Sequence, residues 1–281
     1  MHHNFVKTGK LSSFNSDTIN MKTIYILAGL VLSSLMPIAQ AAYAQSADSE
    51  DDDYRTISTF GVTTNTNSSI IGGFSFRQSK LLSGSLLGMP QYRYLSIELV
   101  NVRHPKEIQS SISSFGSRFI DGKENYLFVV RPQYGREVKL FQRSTDEGIA
   151  VSGILAGGPS LGIIKPYYLE VSFGNTTRQV PASQVNGSTT PTGESVTGKG
   201  NFFQGLDESK FTVGLNVKAA LSFELSAFRT NTTGIEIGFL AEAFPNKIVI
   251  IPNTTAGGNR TDGNQSFFTS GYITLFFGSK K

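Results

Sequence analysis

The chain contains no cysteine and no tryptophan. Without cysteine there is no disulfide staple, no thiolate metal site, no cysteine nucleophile and no lipidated N-terminal cysteine. Nothing after residue 45 supplies about 18 apolar residues in a row, so crossing a membrane with a helix is excluded. An excess of one charge is missing too. Setting aside residues 1–44 removes Lys7, Lys10, Lys22 and Asp17 and leaves 22 basic against 20 acidic side chains. A net of +2 is no footprint for nucleic acid, and no nucleic-acid partner is expected. Past residue 44 the only histidine is His104. One histidine and no cysteine exclude a conventional zinc site. Neither a metal nor a cofactor is expected.

The N-terminal region reads as a targeting segment. Residues 1–20 are polar and patternless, an extension ahead of the true start. Met21-Lys22 opens an apolar run, Ile24 to Leu35, followed by Pro37 and the small-residue sites Ala39-Gln40-Ala41 and Ala42-Tyr43-Ala44. Basic start, short apolar core and A-x-A sites make residues 21–44 a cleavable signal peptide. Residues 45–53, with their acidic run Asp48 to Asp53, form a solvated leader, and 54–278 the folded domain.

What the domain has in abundance is alternation. Phe211, Val213, Leu215, Val217, Ala219, Leu221, Phe223 and Leu225 are apolar, and Thr212, Gly214, Asn216, Lys218, Ala220, Ser222 and Glu224 lie between them. A period of two over fifteen residues is one long strand with a greasy face and a wet face. Soluble strands usually run about 5–6 residues, whereas a tilted membrane-crossing strand needs about 9–11. Similar alternation recurs at Leu95–Leu99, Tyr126–Arg131, Tyr167–Phe173, Ile235–Glu242 and 266–277. Polar loops at 103–123, 174–208 and 252–265 separate them.

The expected fold is all-β: an antiparallel transmembrane barrel with long external loops and short periplasmic turns. A turn at Gly157–Ser160 and a strand at 136–143 give ten strands, the favoured count; reading through that turn gives eight. A secreted sandwich or soluble barrel also produces alternating strands and stays open.

The facing rule puts Glu98, Arg131, Glu170, Lys218, Glu224, Glu236 and Glu242 toward the lumen. In so narrow a barrel these charges must pair, because an isolated buried charge is very costly. The bland reading is a polar plug; the functional one is a glutamate-lined pore. Catalytic groupings are missing. His104 lies in a loop beside Pro105 and Lys106, best read as solvated, and there is no Gly-x-Ser-x-Gly elbow. The acids Asp121, Glu124, Asp207 and Glu208 could gather at the outer rim, as in any external loop.

The last strand carries a resemblance. Gly271, Ile273, Leu275 and Phe277 share one face, and Ser270, Tyr272, Thr274 and Phe276 the other. This resembles the aromatic-ending strand that Gram-negative outer-membrane β-barrel proteins present to their assembly machinery, although here Gly278-Ser279-Lys280-Lys281 follows. The resemblance covers roughly residues 54–278. It implies a barrel in the bacterial outer membrane, with outer-membrane lipid and the assembly machinery as partners, and implies no activity. The reading that follows is a non-enzymatic barrel whose external loops bind an envelope protein or surface polymer. A small ion or nutrient channel and a lipid- or peptide-modifying barrel enzyme are the alternatives.

Overall fold

A computed structural model of the chain describes residues 55–68, 71–86, 88–107, 109–110, 118–141, 149–185, 189–225, 231–253, 259 and 261–281. The expected extension, signal peptide and acidic leader lie outside the described residues. The elements in chain order are β1 (Thr56–Asn65), β2 (Gly73–Leu86), β3 (Met89–Val102), β4 (Gln109–Ser110), β5 (Phe119–Ile120), β6 (Asn125–Phe141), β7 (Ala150–Pro166), β8 (Tyr168–Phe173), β9 (Thr176–Pro181), β10 (Ser195–Lys199), β11 (Lys210–Glu224), β12 (Asn231–Ile248) and β13 (Gln265–Lys280).

Eight of these strands close an antiparallel ring in the order β1-β13-β12-β11-β7-β6-β3-β2. Closure leaves no sheet edge, because β1 pairs with β2 on one side and β13 on the other. The Gly278–Lys280 tail continues β13 opposite β1, with Ile57 across from Lys280. Within the ring β1 has 10 residues and β12 has 18. A strand of fifteen residues, such as β11, is about 50 Å long.

The favoured count of ten is corrected to eight. Gly157-Gly158-Pro159-Ser160 carries the composition of a turn yet lies inside β7, and residues 136–141 belong to β6. The break comes later, at Tyr167. Pro132 and Pro159 stand opposite each other across β6 and β7, where the ladder skips between Val130↔Leu161 and Tyr134↔Gly157. Two prolines side by side supply no N–H, which would normally bar a central strand. Here Asn216 compensates from inside the ring: its Nδ2 donates to the carbonyls of Gly158 at 3.1 Å and Pro159 at 3.0 Å.

The apolar stripe of β11 faces out. Leu215 is 70% exposed and Phe239 on β12 is 76% exposed. Phe60 and Val62 on β1, Phe74 on β2, Ile97 and Leu99 on β3, Tyr134 on β6, Leu155 and Leu161 on β7, and Ile273, Leu275 and Phe277 on β13 continue the belt. Every strand of the ring contributes. Inward positions of the same strands are buried and mostly polar: Thr59, Arg77, Ser96, Gln133, Ser160, Asn216, Ser222 and Thr274. This inside-out arrangement is the reverse of a soluble barrel, whose apolar faces point inward.

The ends differ. Three connections at one end are long: 103–124, 167–209 and 249–264. The middle one, read from the sequence as a polar loop over 174–208, carries strands of its own. β8 pairs with β9 and β10 in a three-stranded sheet. Tyr167, Leu169, Val171, Val180, Val196 and Phe119 form its own apolar core.

Candidate functional site

Inside the ring six charges form one chain of contacts. Arg77 on β2 donates to Glu236 Oε2 on β12 at 2.9 Å. The Lys218 ammonium on β11 donates to Glu236 Oε1 at 2.9 Å and to Glu98 Oε1 on β3 at 2.8 Å. Arg131 on β6 reaches Glu98 at 3.9 Å and holds Glu242 with two bonds of 2.8 Å. Three cations alternate with three carboxylates, so each desolvated charge has an opposite neighbour. Hydroxyls fill the remaining valences. Tyr272 donates to Glu236 at 2.6 Å, Ser160 donates to Glu242, and Thr59 accepts from Arg77 Nε at 3.0 Å. The Arg77 guanidinium also lies 4.2 Å from the Phe276 ring centre.

Of the seven charged candidates, Glu98, Arg131, Lys218, Glu236 and Glu242 meet in this network. Glu224 faces inward at the end that carries the chain's C-terminus, where Lys280 and, at 4.0 Å, Lys139 pair with it. Glu170 is a correction. It lies in β8 of the external sheet, outside the ring, because its strand starts only after the break at Tyr167. Four inward charges escaped the sequence reading: Lys139 and Lys280 beside Glu224, and Arg77 and Glu137, the last accepting from Ser79. Arg77 could have been found by letting Phe74 and Phe76 face outward, which turns Ser75 and Arg77 inward.

Above the charged layer, at the long-loop end, the interior becomes apolar. Val100, Val102, Leu127, Val129, Phe244, Ile248, Ile250 and Phe268 pack together, fully or nearly buried. The Phe244 ring fits because Gly214 opposite it has no side chain; a Cβ there would come within 2.7 Å of the ring. Ion pairs thus line the lumen, and aliphatic and aromatic groups cap it at the long-loop end.

His104 is a second correction. It is buried, with Nε2 2.9 Å from the Gly263 carbonyl and Nδ1 accepting from the Lys106 N–H at 3.1 Å. The ring ties the loop after β3 to the loop before β13. Both ring nitrogens are engaged by backbone groups. Beside it Lys123 pairs with Glu107 at 2.8 Å, and burial pulls its ammonium below the ordinary lysine range. At the outer rim Glu208 accepts from the Tyr168 hydroxyl at 2.8 Å, which raises that phenol to about 12.

No family model matches the chain, and no curated protein matches it. Two solved structures of Ail, the attachment invasion locus protein of Yersinia pestis, align with it. One, in complex with the heparin analogue sucrose octasulfate, is 10% identical and covers 80% of this chain and 96% of its own, at a TM-score of 0.33. The other is 7% identical and covers 81% and 99%, at the same TM-score. So distant a likeness carries no function.

The external sheet has a titratable lock at Glu194. Glu194 accepts from the Arg178 guanidinium and from the Thr190 and Thr192 hydroxyls. These donors, Arg178 first, hold its carboxyl at about 2. A depressed carboxylate stabilises the fold above its unfolded value, about 4.3, and that contribution disappears as pH falls through about 2. The turn at 190–194 should therefore keep its amide protection through the ordinary carboxylate range. Hydrogen exchange at the Thr190 and Gly193 amides checks this; loss of protection already near 4.3 would contradict it.

Proposed function

We propose that this chain is an outer-membrane β-barrel that neither conducts nor catalyses, and that holds a folded sheet outside the membrane as a recognition surface. The observation that carries the reading is the filled interior. The ion network and the apolar cap occupy the ring, which leaves the external sheet as the part with free polar surface. Its outer strand β9 exposes Thr176, Thr177, Arg178 and Gln179 in succession. Exposed strand edges of this kind pair with extended segments of partners.

The membrane assignment rests on the belt. A contiguous apolar surface around every ring strand would be an aggregation site in water and is ordinary in lipid. Absence of cysteine makes the orientation directly testable. A membrane-impermeant maleimide should label Thr177→Cys on intact cells and should label Ser85→Cys, at the opposite end, only after the outer membrane is opened.

Purified protein in a planar bilayer should give no unitary conductance, and steady openings would overturn the non-conducting reading. Recognition is tested by replacing residues 168–208 with a short turn, which the pairing of Ile164 with Lys210 permits. Nanodiscs carrying the full or the trimmed chain are applied to arrays of immobilised proteins and polysaccharides. Binding by the full chain alone supports the proposal. Identical patterns for the two, or no binding by either, reject the external sheet as the recognition surface.

A further inference from the structure

Between β10 and β11 the chain turns back over the outside of the wall. Residues 200–209 are pinned near both ends to one residue, Tyr168. Gly200 N–H donates to the Tyr168 carbonyl at 2.7 Å, and the Tyr168 hydroxyl donates to Glu208. Gly205 lies against the same ring at φ +74°, where a Cβ would sit 2.4 Å from a ring carbon. The Asn201 N–H donates to Gln179 on β9 at 3.0 Å, and its own Oδ1 accepts from the Phe203 N–H at 3.0 Å. This is a built turn, held at several points. What it displays is apolar: Phe203 is 71% exposed, and Phe202 and Leu206 are about half exposed.

The turn lies beside the wall and away from the mouth. The Phe202 ring packs edge-on against Tyr126 and Phe128, centroids 5.9 and 5.8 Å apart, and both of those side chains stand on the outward face of β6. The turn leads into β11, and β7 runs between β6 and β11. The aromatic turn thus spans the outer wall across β7. Beneath it Lys165, on the outward face of β7, is only 1% exposed; its ammonium lies 5.4 Å from the Tyr126 ring centre and 5.5 Å from that of Phe202. Cation–π attraction fixes the two rings, and the ammonium donates to the Pro166 carbonyl at 3.1 Å. Directly below, Phe211, Val213 and Leu161 begin the apolar belt.

We infer that the Phe202–Leu206 turn is a lipid anchor: it lies in the external leaflet and seats the recognition sheet against the membrane surface. Its occupant is lipid, because the exposed rings are continuous with the belt and stand on the same outward face. The polar neighbours fit that depth. Asp207, Glu208 and Lys210 flank the rings as headgroup-level residues flank an aromatic anchor. Phenylalanines on a returning loop here supply what tryptophan would supply on a strand. This inference rests on the membrane reading.

The absence of tryptophan supplies the test. Phe203→Trp and Phe239→Trp each introduce a single indole, the second at a belt position near the middle of β12. Both proteins are placed in phosphatidylcholine vesicles with and without dibrominated acyl chains. Both indoles should emit to the blue of a solvated indole and lose emission to the brominated lipid, Phe203→Trp less than Phe239→Trp because it lies shallower. If Phe239→Trp is quenched and Phe203→Trp is not, the anchor is rejected while the membrane reading stands, and acrylamide then tells water from a covering protein or second copy. If neither is quenched, the membrane reading itself fails. Should Phe203→Trp not fold, a nitroxide on Phe203→Cys gives the same depth from its relaxation by oxygen against a water-soluble nickel chelate. Relaxation dominated by the nickel chelate rejects the anchor.

Discussion

Replacing Lys218 with methionine should lower the unfolding free energy of the barrel by about 3–5 kcal/mol, the usual cost of removing one partner from a buried ion pair. The side chain stays unbranched and loses only one atom of length, so packing beside Tyr94 and Tyr272 changes little. What changes is the charge between Glu98 and Glu236, two carboxylates that Lys218 bridges at 2.8 and 2.9 Å. Glu236 keeps Arg77 at 2.9 Å. Among the described residues Glu98 keeps only the Arg131 cation, at 3.9 Å, and that guanidinium is already committed to Glu242. The orphan is therefore Glu98. Adding Glu98→Gln to Lys218→Met leaves two charge-balanced pairs, Arg77 with Glu236 and Arg131 with Glu242, and should recover much of the loss. Urea unfolding of the folded barrel in lipid vesicles measures all three variants. If the double variant loses the sum of the two single losses, the alternating network is not what holds the interior.

The long outward stripe at 211–225 was legible because the two faces of β11 contrast: apolar residues face out, and mostly polar ones face the lumen. Legibility fell wherever that contrast fell. Residues 127–130 read Leu-Phe-Val-Val because Leu127 and Val129 enter the inner apolar cap while Phe128 and Val130 face out, so alternation vanishes near the long-loop end. Gly157-Gly158-Pro159-Ser160 obscured the strand count, since the cost of Pro159 inside a strand is offset by Asn216, a partner distant in sequence. Arg77 and Glu137 were hidden by uncertain facing in β2 and by the ambiguous end of β6. The external sheet was hidden among Gly, Ser and Thr because its core draws on widely separated residues, Phe119, Tyr167, Val180 and Val196. Pairwise contacts across the ring, and hence the partner of each lumen charge, depend on register and closure and are not encoded in period two.

Phe239→Arg should separate a membrane barrel from a water-soluble one most sharply. Phe239 is 76% exposed, and in a soluble protein an exchange at so open a site stays within about 0.5 kcal/mol. Surrounded by lipid, the same arginine should cost about 2–4 kcal/mol if it stands at the bilayer midplane, less toward the interface. Its neighbours offer no carboxylate to relieve it: Phe239 faces Ala219 on β11 and Gly271 on β13. Phe173→Arg is the control. Phe173 is 67% exposed too but ends β8 in the external sheet, where water surrounds it, and its exchange should be near neutral. Urea midpoints of both variants in vesicles decide the matter. A large loss for Phe239→Arg with none for Phe173→Arg marks the belt as lipid-facing. Equal, small effects would mean that the same ring stands in water, and its apolar outer face would then need a protein cover.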